Sequence, residues 1–95
     1  MAKYRLSNLA EEDLILIHHY GVSQFGMLQA DKYFNSLFKA FDMIAQRPFS
    51  FESVDFIKPG YRRCVSGSDS IYFKVNKQTI EIMTIIGSQD LNKIE

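Results

Sequence analysis

Hydrophobic positions change spacing along this chain, from every third or fourth residue in the first half to every second residue in the last third. Ala30, Tyr33, Phe34, Leu37, Phe38, Phe41, Ile44 and Ala45 recur at helical spacing and predict a helix that ends at Arg47, the residue before Pro48. Ala10, Leu14, Ile17 and His18 share a stripe on a preceding helix, which should run to about Phe25 and stop at Gly26. Ser7 or Asn8 can cap it. Asn8 followed by Glu11 has capping-box spacing, and Glu11, Glu12 and Asp13 place negative charge in the first turn. Gly21 inside this helix costs about 1 kcal/mol against alanine.

The alternating runs Ile71 to Val75 and Thr79 to Ile86 carry the β-branched and aromatic residues of half-buried strands. Gly67-Ser68 and Asn76-Lys77-Gln78 supply the breaks. Lys3 to Leu6, with Tyr4 and Leu6 on one side of a pleat, suits a first strand. The short connection at Gly26 makes the helices an antiparallel hairpin with the aromatic stripe inward. The expected fold class is α+β in the order β-α-α-β-β-β, the helical hairpin packed on one face of a small antiparallel sheet. The segment from Pro48 to Lys58 holds Phe49, Phe51, Val54, Phe56 and Ile57, too apolar for a free linker, and should pack along the domain edge.

Register follows from the turns. With Lys77-Gln78 as a turn, Val75 faces Ile80, Phe73 faces Ile82 and Ile71 faces Thr84, giving an apolar surface for the helices. The other face carries Tyr72, Lys74, Glu81, Met83 and Ile85. With Gly67-Ser68 as the preceding turn, Arg63 pairs with Tyr72 and Tyr61 with Lys74, so these four residues cluster on the outer face.

Composition narrows the possibilities. A chain of 95 residues, 46% hydrophobic, fits one domain spanning 1–95. Eleven basic and eleven acidic residues leave no global field to attract nucleic acid or anionic lipid. The apolar stretches fall far short of the roughly 20 residues of a membrane helix and the N-terminus lacks a signal-peptide core, so a cytoplasmic protein with no membrane partner is expected. Cys64 is alone, and within a strand it reads as a small buried apolar residue. His18 and His19 diverge by about 100° on a helix and cannot share a metal. No ligand set, cofactor motif or nucleophile with a base is evident, and Gly67-Ser68 is a turn, not a phosphate loop.

The outer cluster of Tyr61, Arg63, Tyr72 and Lys74 combines two cations with two phenols on rigid strands. It has the ingredients to hold phosphate or a carboxylate-bearing peptide; it equally fits a solvated sheet face on which Lys74 and Glu81 pair. With Met83 and Ile85 on that face, the domain also suits a peptide partner, either an amphipathic helix laid on the helical hairpin or an extended segment added to a sheet edge.

The element order and four stretches in register resemble the ParE toxins of the RelE/ParE toxin-antitoxin superfamily. These are LSNLAEEDL (Leu6 to Leu14), QADKYF (Gln29 to Phe34), PGYRRCVSGSDSIYF (Pro59 to Phe73) and IIGSQD (Ile85 to Asp90). The resemblance implies the toxin component of a type II system that inhibits DNA gyrase, with the A subunit as the expected contact, and that serves plasmid stabilisation. It also implies a ParD-like antitoxin bound in a hetero-oligomer, whose C-terminal segment wraps the hairpin and crosses the sheet. No catalytic residues, cofactor or sequence-specific nucleic-acid binding are implied. Antitoxin or target binding is then expected at Tyr61, Arg63, Tyr72, Lys74, Met83, Ser88, Gln89 and Asp90. Ser88 stands where the family commonly has a basic residue, a departure that would weaken toxicity if that residue touches the target. Two alternatives stand beside this reading. One is a RelE-type ribosome-dependent messenger RNA endonuclease using Arg63, Tyr72 and Lys74, against which the absence of excess basic residues counts. The other is a degenerate, non-toxic antitoxin-binding member, supported by Ser88 alone.

Overall fold

Ser7, the single residue between the first strand and the first helix, ties that helix to the last strand through its hydroxyl. In the computed structural model, which describes residues 3–87, β1 (Lys3–Leu6) leads directly into α1 (Asn8–Phe25). The Ser7 Oγ accepts from the Ala10 N–H at 3.0 Å and donates to the Met83 carbonyl at 2.7 Å, capping the helix and tying it to a distant strand. Of the two capping residues the sequence allows, Ser7 is the one used.

Gly26, at φ 88°, ends α1 and is the whole connection to α2 (Met27–Gln46). The two helices approach closely where Gly21 meets Ala30; a Cβ on Gly21 would lie 3.2 Å from the Ala30 Cβ. The glycine that weakens helix propensity therefore permits the packing of the hairpin.

A 3₁₀ turn at Pro48–Ser50 leads to β2 (Glu52–Ser53), followed by β3 (Tyr61–Ser66), β4 (Asp69–Asn76) and β5 (Thr79–Gly87). The sheet order is β1-β5-β4-β3-β2, with β1 parallel to β5 and the other pairs antiparallel. The α+β class and the helical hairpin on one face are as expected. The sheet is mixed rather than wholly antiparallel, and it gains a fifth strand from the segment read as an edge loop.

Leu14, Leu37, Phe41 and Ile44 from the helices pack on Ile71, Phe73, Ile80, Ile82 and Ile85 from the sheet, with Cys64 buried beside them. A row of tilted and edge-on rings runs through this core from His18 to Phe34, Phe38, Phe41 and Tyr4, with centroids 5.1 to 5.4 Å apart. Each such pair contributes about 0.5–1.5 kcal/mol beyond its burial.

Two sequence expectations are corrected here. The pairs Phe73–Ile82 and Tyr72–Thr84 leave Met83 without a partner, a β-bulge that advances the register by one residue. Ile71 consequently faces Ile85, not Thr84. Ile85 belongs to the helix-side core rather than the outer face, and Ile86 takes the outward position. The second correction concerns Tyr72, which is fully buried and not displayed on an open face. Val54 and Ile86 enclose it, with Ile57 and Tyr61 packed around them, so the segment after β2 forms a second, smaller core on the far side of the sheet.

Candidate functional site

The four clustered residues are brought together at the predicted register, Arg63 opposite Tyr72 and Tyr61 opposite Lys74. Their environment differs from an open binding face. Arg63 reaches across to β2, with Nη2 3.0 Å from Glu52 Oε1 and Nε 3.3 Å from Oε2, and its Nη1 lies 3.4 Å from the buried Tyr72 hydroxyl. The hydrogen bond to Glu52, then that to Tyr72, raises the Arg63 pKa further. This guanidinium helps pin the two-residue edge strand, which the ladder with β3, the Arg62 bond to the Phe51 carbonyl and the Val54 N–H bond to the Tyr61 carbonyl also hold. Tyr61 is half-buried; burial first and the Glu81 charge second raise its pKa. Lys74 is half-buried and pairs across the ladder with Glu81. Met83 is half-buried in the bulge, its carbonyl taken by Ser7. Ser88, Gln89 and Asp90 lie outside the described residues.

A second feature lies on the other side of the sheet, beside the helical hairpin. A groove of about 460 Å³ runs between the helical hairpin and the ends of β4 and β5. Leu16, Ile17, Tyr20 and Phe25 of α1 and Ala30 and Tyr33 of α2 form its walls, with Ser68, Asp69, Ile85 and Gly87 at the sheet end. Leu16, Tyr20 and Phe25 are each about two-thirds exposed, at 64%, 64% and 67%. They give the groove an apolar wall open to solvent. The sequence allows a helical partner on the hairpin or an extended segment at a sheet edge but does not single out these residues, because they lie off the Ala10–Leu14–Ile17 stripe. The signal that was available is that α1 is apolar on nearly every side, with Leu9, Ile15, Leu16 and Tyr20 all outside the core.

The floor of the groove is fixed by Asp13. β1 stops opposite Ile82, so beyond that point β5 has no neighbouring strand on this edge. Ser7 N–H donates to the Ile82 carbonyl at 3.0 Å, and Asp13 accepts from the Thr84 hydroxyl and the Ile85 N–H. The start of α1 thus substitutes for the missing strand. At the sheet end, the Tyr33 hydroxyl lies 3.0 Å from the Ser66 carbonyl and donates to the Asp69 carboxylate. Burial, followed by the interaction with Asp69, pushes the Tyr33 pKa up to about 12. A separate hollow of about 500 Å³ beside the β4–β5 turn is lined by Arg5, Asn76, Lys77, Gln78, Thr79 and Glu81 and has no large apolar anchor.

The model of the family described as "ParE toxin of type II toxin-antitoxin system, parDE" matches residues 4–91. The chain belongs to the ParE toxin family. Toxin ParE1 of Caulobacter vibrioides is 35% identical over 86 residues, covering 90% of this chain and 88% of that one. Toxin ParE1 of Mycobacterium tuberculosis is 30% identical over the same length, with the same coverage. Among solved structures, a chain of the chromosomal ParDE toxin-antitoxin system from P. aeruginosa superposes with a TM-score of 0.79 at 21% identity, covering 92% of this chain and 96% of that one. A chain of the RelBE2 toxin-antitoxin complex from Mycobacterium tuberculosis gives 0.57 at 11% identity, covering 90% and 96%. These two likenesses place the ParE chain in the shared RelE/ParE fold.

Proposed function

We propose that this ParE-family chain acts on DNA gyrase by binding rather than by catalysis, and that a ParD-like antitoxin neutralises it by filling the groove on the helical hairpin. The observation that carries the reading is the family match across residues 4–91. The exposed Leu16, Tyr20 and Phe25 support a macromolecular occupant for the groove. Among the described residues no helix is long and apolar enough to cross a membrane, which agrees with action in the cytoplasm.

The side chains that a ribonuclease reading would enlist are poorly placed for it. Tyr72 is fully buried, and Arg63 is engaged by Glu52 and Tyr72. A net charge of zero gives no general grip on RNA. Tyr61 and Lys74 remain the accessible part of the outer cluster and are retained as a secondary contact for antitoxin or target. The test is the supercoiling of relaxed plasmid by purified gyrase with and without the protein, alongside cleavage of translated message as the competing activity.

A further inference from the structure

The groove on the hairpin has apolar walls and one sign of charge. Its described lining contains two carboxylates, Asp13 and Asp69, and no lysine, arginine or histidine. Asp13 is 2% exposed and serves the fold through Thr84 and Ile85. Asp69 sits half-buried at the sheet end, where the Tyr33 hydroxyl orients its carboxylate. Tyr33 is itself fixed over the β3–β4 turn: Gly67 has φ 61°, and a Cβ there would come within 2.8 Å of the Tyr33 ring. None of the ion pairs among the described residues involves Asp69.

A carboxylate half-buried at the end of an apolar groove favours a cation more strongly than one on an open surface. The neighbouring backbone also limits how a partner can bind. The β5 edge at Ile82 to Ile85 is already met by Ser7 and Asp13, which leaves no row of free groups there for an added strand. A helix laid along the two antiparallel helices presents side chains at the spacing the groove walls offer.

We infer that Asp69 selects an arginine or lysine carried on the apolar face of the helical segment that fills this groove. The inference rests on the proposed seating of an antitoxin in the groove and adds the chemistry by which it is recognised. Asp69 is the specificity-determining residue, and Tyr33 positions it.

The test is a display library of helical peptides randomised on one face, selected in parallel on the purified protein and on Asp69→Asn, which keeps an oxygen acceptor for Tyr33. The expected result is one position enriched in arginine or lysine on the native chain and not on the variant. By fluorescence anisotropy, a selected cationic peptide should bind the native chain about tenfold more tightly than Asp69→Asn, with the gap narrowing as salt rises. Absence of a cation preference, or the same preference on both proteins, overturns the inference. Leu16→Glu separates the two levels of the argument, since it should abolish binding of all selected peptides. Peptides lost on Leu16→Glu but lacking a cation preference overturn the role of Asp69 alone. Peptides indifferent to Leu16→Glu, or a self-association of the protein that this variant removes, overturn the groove reading as well. Circular dichroism melts of each variant confirm that folded protein is being compared.

Discussion

One oxygen of Asp13, Oδ2, lies 2.6 Å from the Thr84 hydroxyl and 3.0 Å from the Ile85 amide nitrogen. The carboxylate on α1 thereby takes over the hydrogen bonding of a strand edge that β1 is too short to cover. Asp13→Ala would leave two buried donors without an acceptor and should destabilise the fold by about 2–4 kcal/mol. Thr84→Val removes one donor together with its need for a partner and should cost about 1 kcal/mol. Urea denaturation of the three proteins checks the order, native above Thr84→Val above Asp13→Ala.

Tyr33 gives a pH signature. Its folded pKa, about 12, lies above the ordinary tyrosine value of 10.0, so the folded state holds this proton more tightly than the unfolded chain does. The associated stability is fully present below pH 10 and is lost as pH rises toward 12. The thermal midpoint of the native protein should fall more steeply across that window than the midpoint of Tyr33→Phe. Parallel curves would remove the Tyr33–Asp69 pair from the account.

The turn beneath Tyr33 makes a second comparison possible. Gly67 and Gly60 both have positive φ, 61° and 84°, but a Cβ on Gly60 has open space while one on Gly67 meets the Tyr33 ring. Gly60→Ala should cost about 1–2 kcal/mol from backbone conformation alone. Gly67→Ala should cost more, as measured by the shift in denaturation midpoint.

Arg63 is expected to act through β2. Reversing its charge sets it against Glu52 and frees the strand that leads into Val54. Arg63→Glu should therefore lower stability and increase proteolysis between Phe49 and Gly60. The double swap Arg63→Glu with Glu52→Arg should recover much of the loss. If Arg63→Glu changes partner binding without changing stability, the residue belongs to an interface instead.

Much of this fold is legible in the sequence because the helix and strand periods are strong. The Lys77-Gln78 turn fixes the pairing of Val75 with Ile80 and of Phe73 with Ile82. The bulge at Met83 escapes a reading based on strict alternation, although Ile82 and Ile85, three residues apart yet both in the helix-side core, record the change of phase. β2 is too short and too polar to announce itself; Glu52 and Ser53 become a strand through Arg63 and the ladder with β3. The adjacency of Tyr61, Arg63, Tyr72 and Lys74 was readable from register. The burial of Tyr72 was not, because its cover comes from Val54 and Ile57, in a segment without periodicity.

The groove residues should separate binding from folding. Leu16 and Tyr20 are exposed, so Leu16→Glu and Tyr20→Ala should change stability by less than about 0.5 kcal/mol. Each should still weaken antitoxin binding by tenfold or more, as for central apolar anchors of an interface. Titration calorimetry against a ParD-like antitoxin checks this.

Action on gyrase is decided by a gel assay of plasmid supercoiling, with purified gyrase and a micromolar excess of this protein. Supercoiling should stop, cleaved plasmid held by gyrase should accumulate, and added antitoxin should restore activity. Supercoiling that proceeds unchanged at that excess would rule out gyrase as the target.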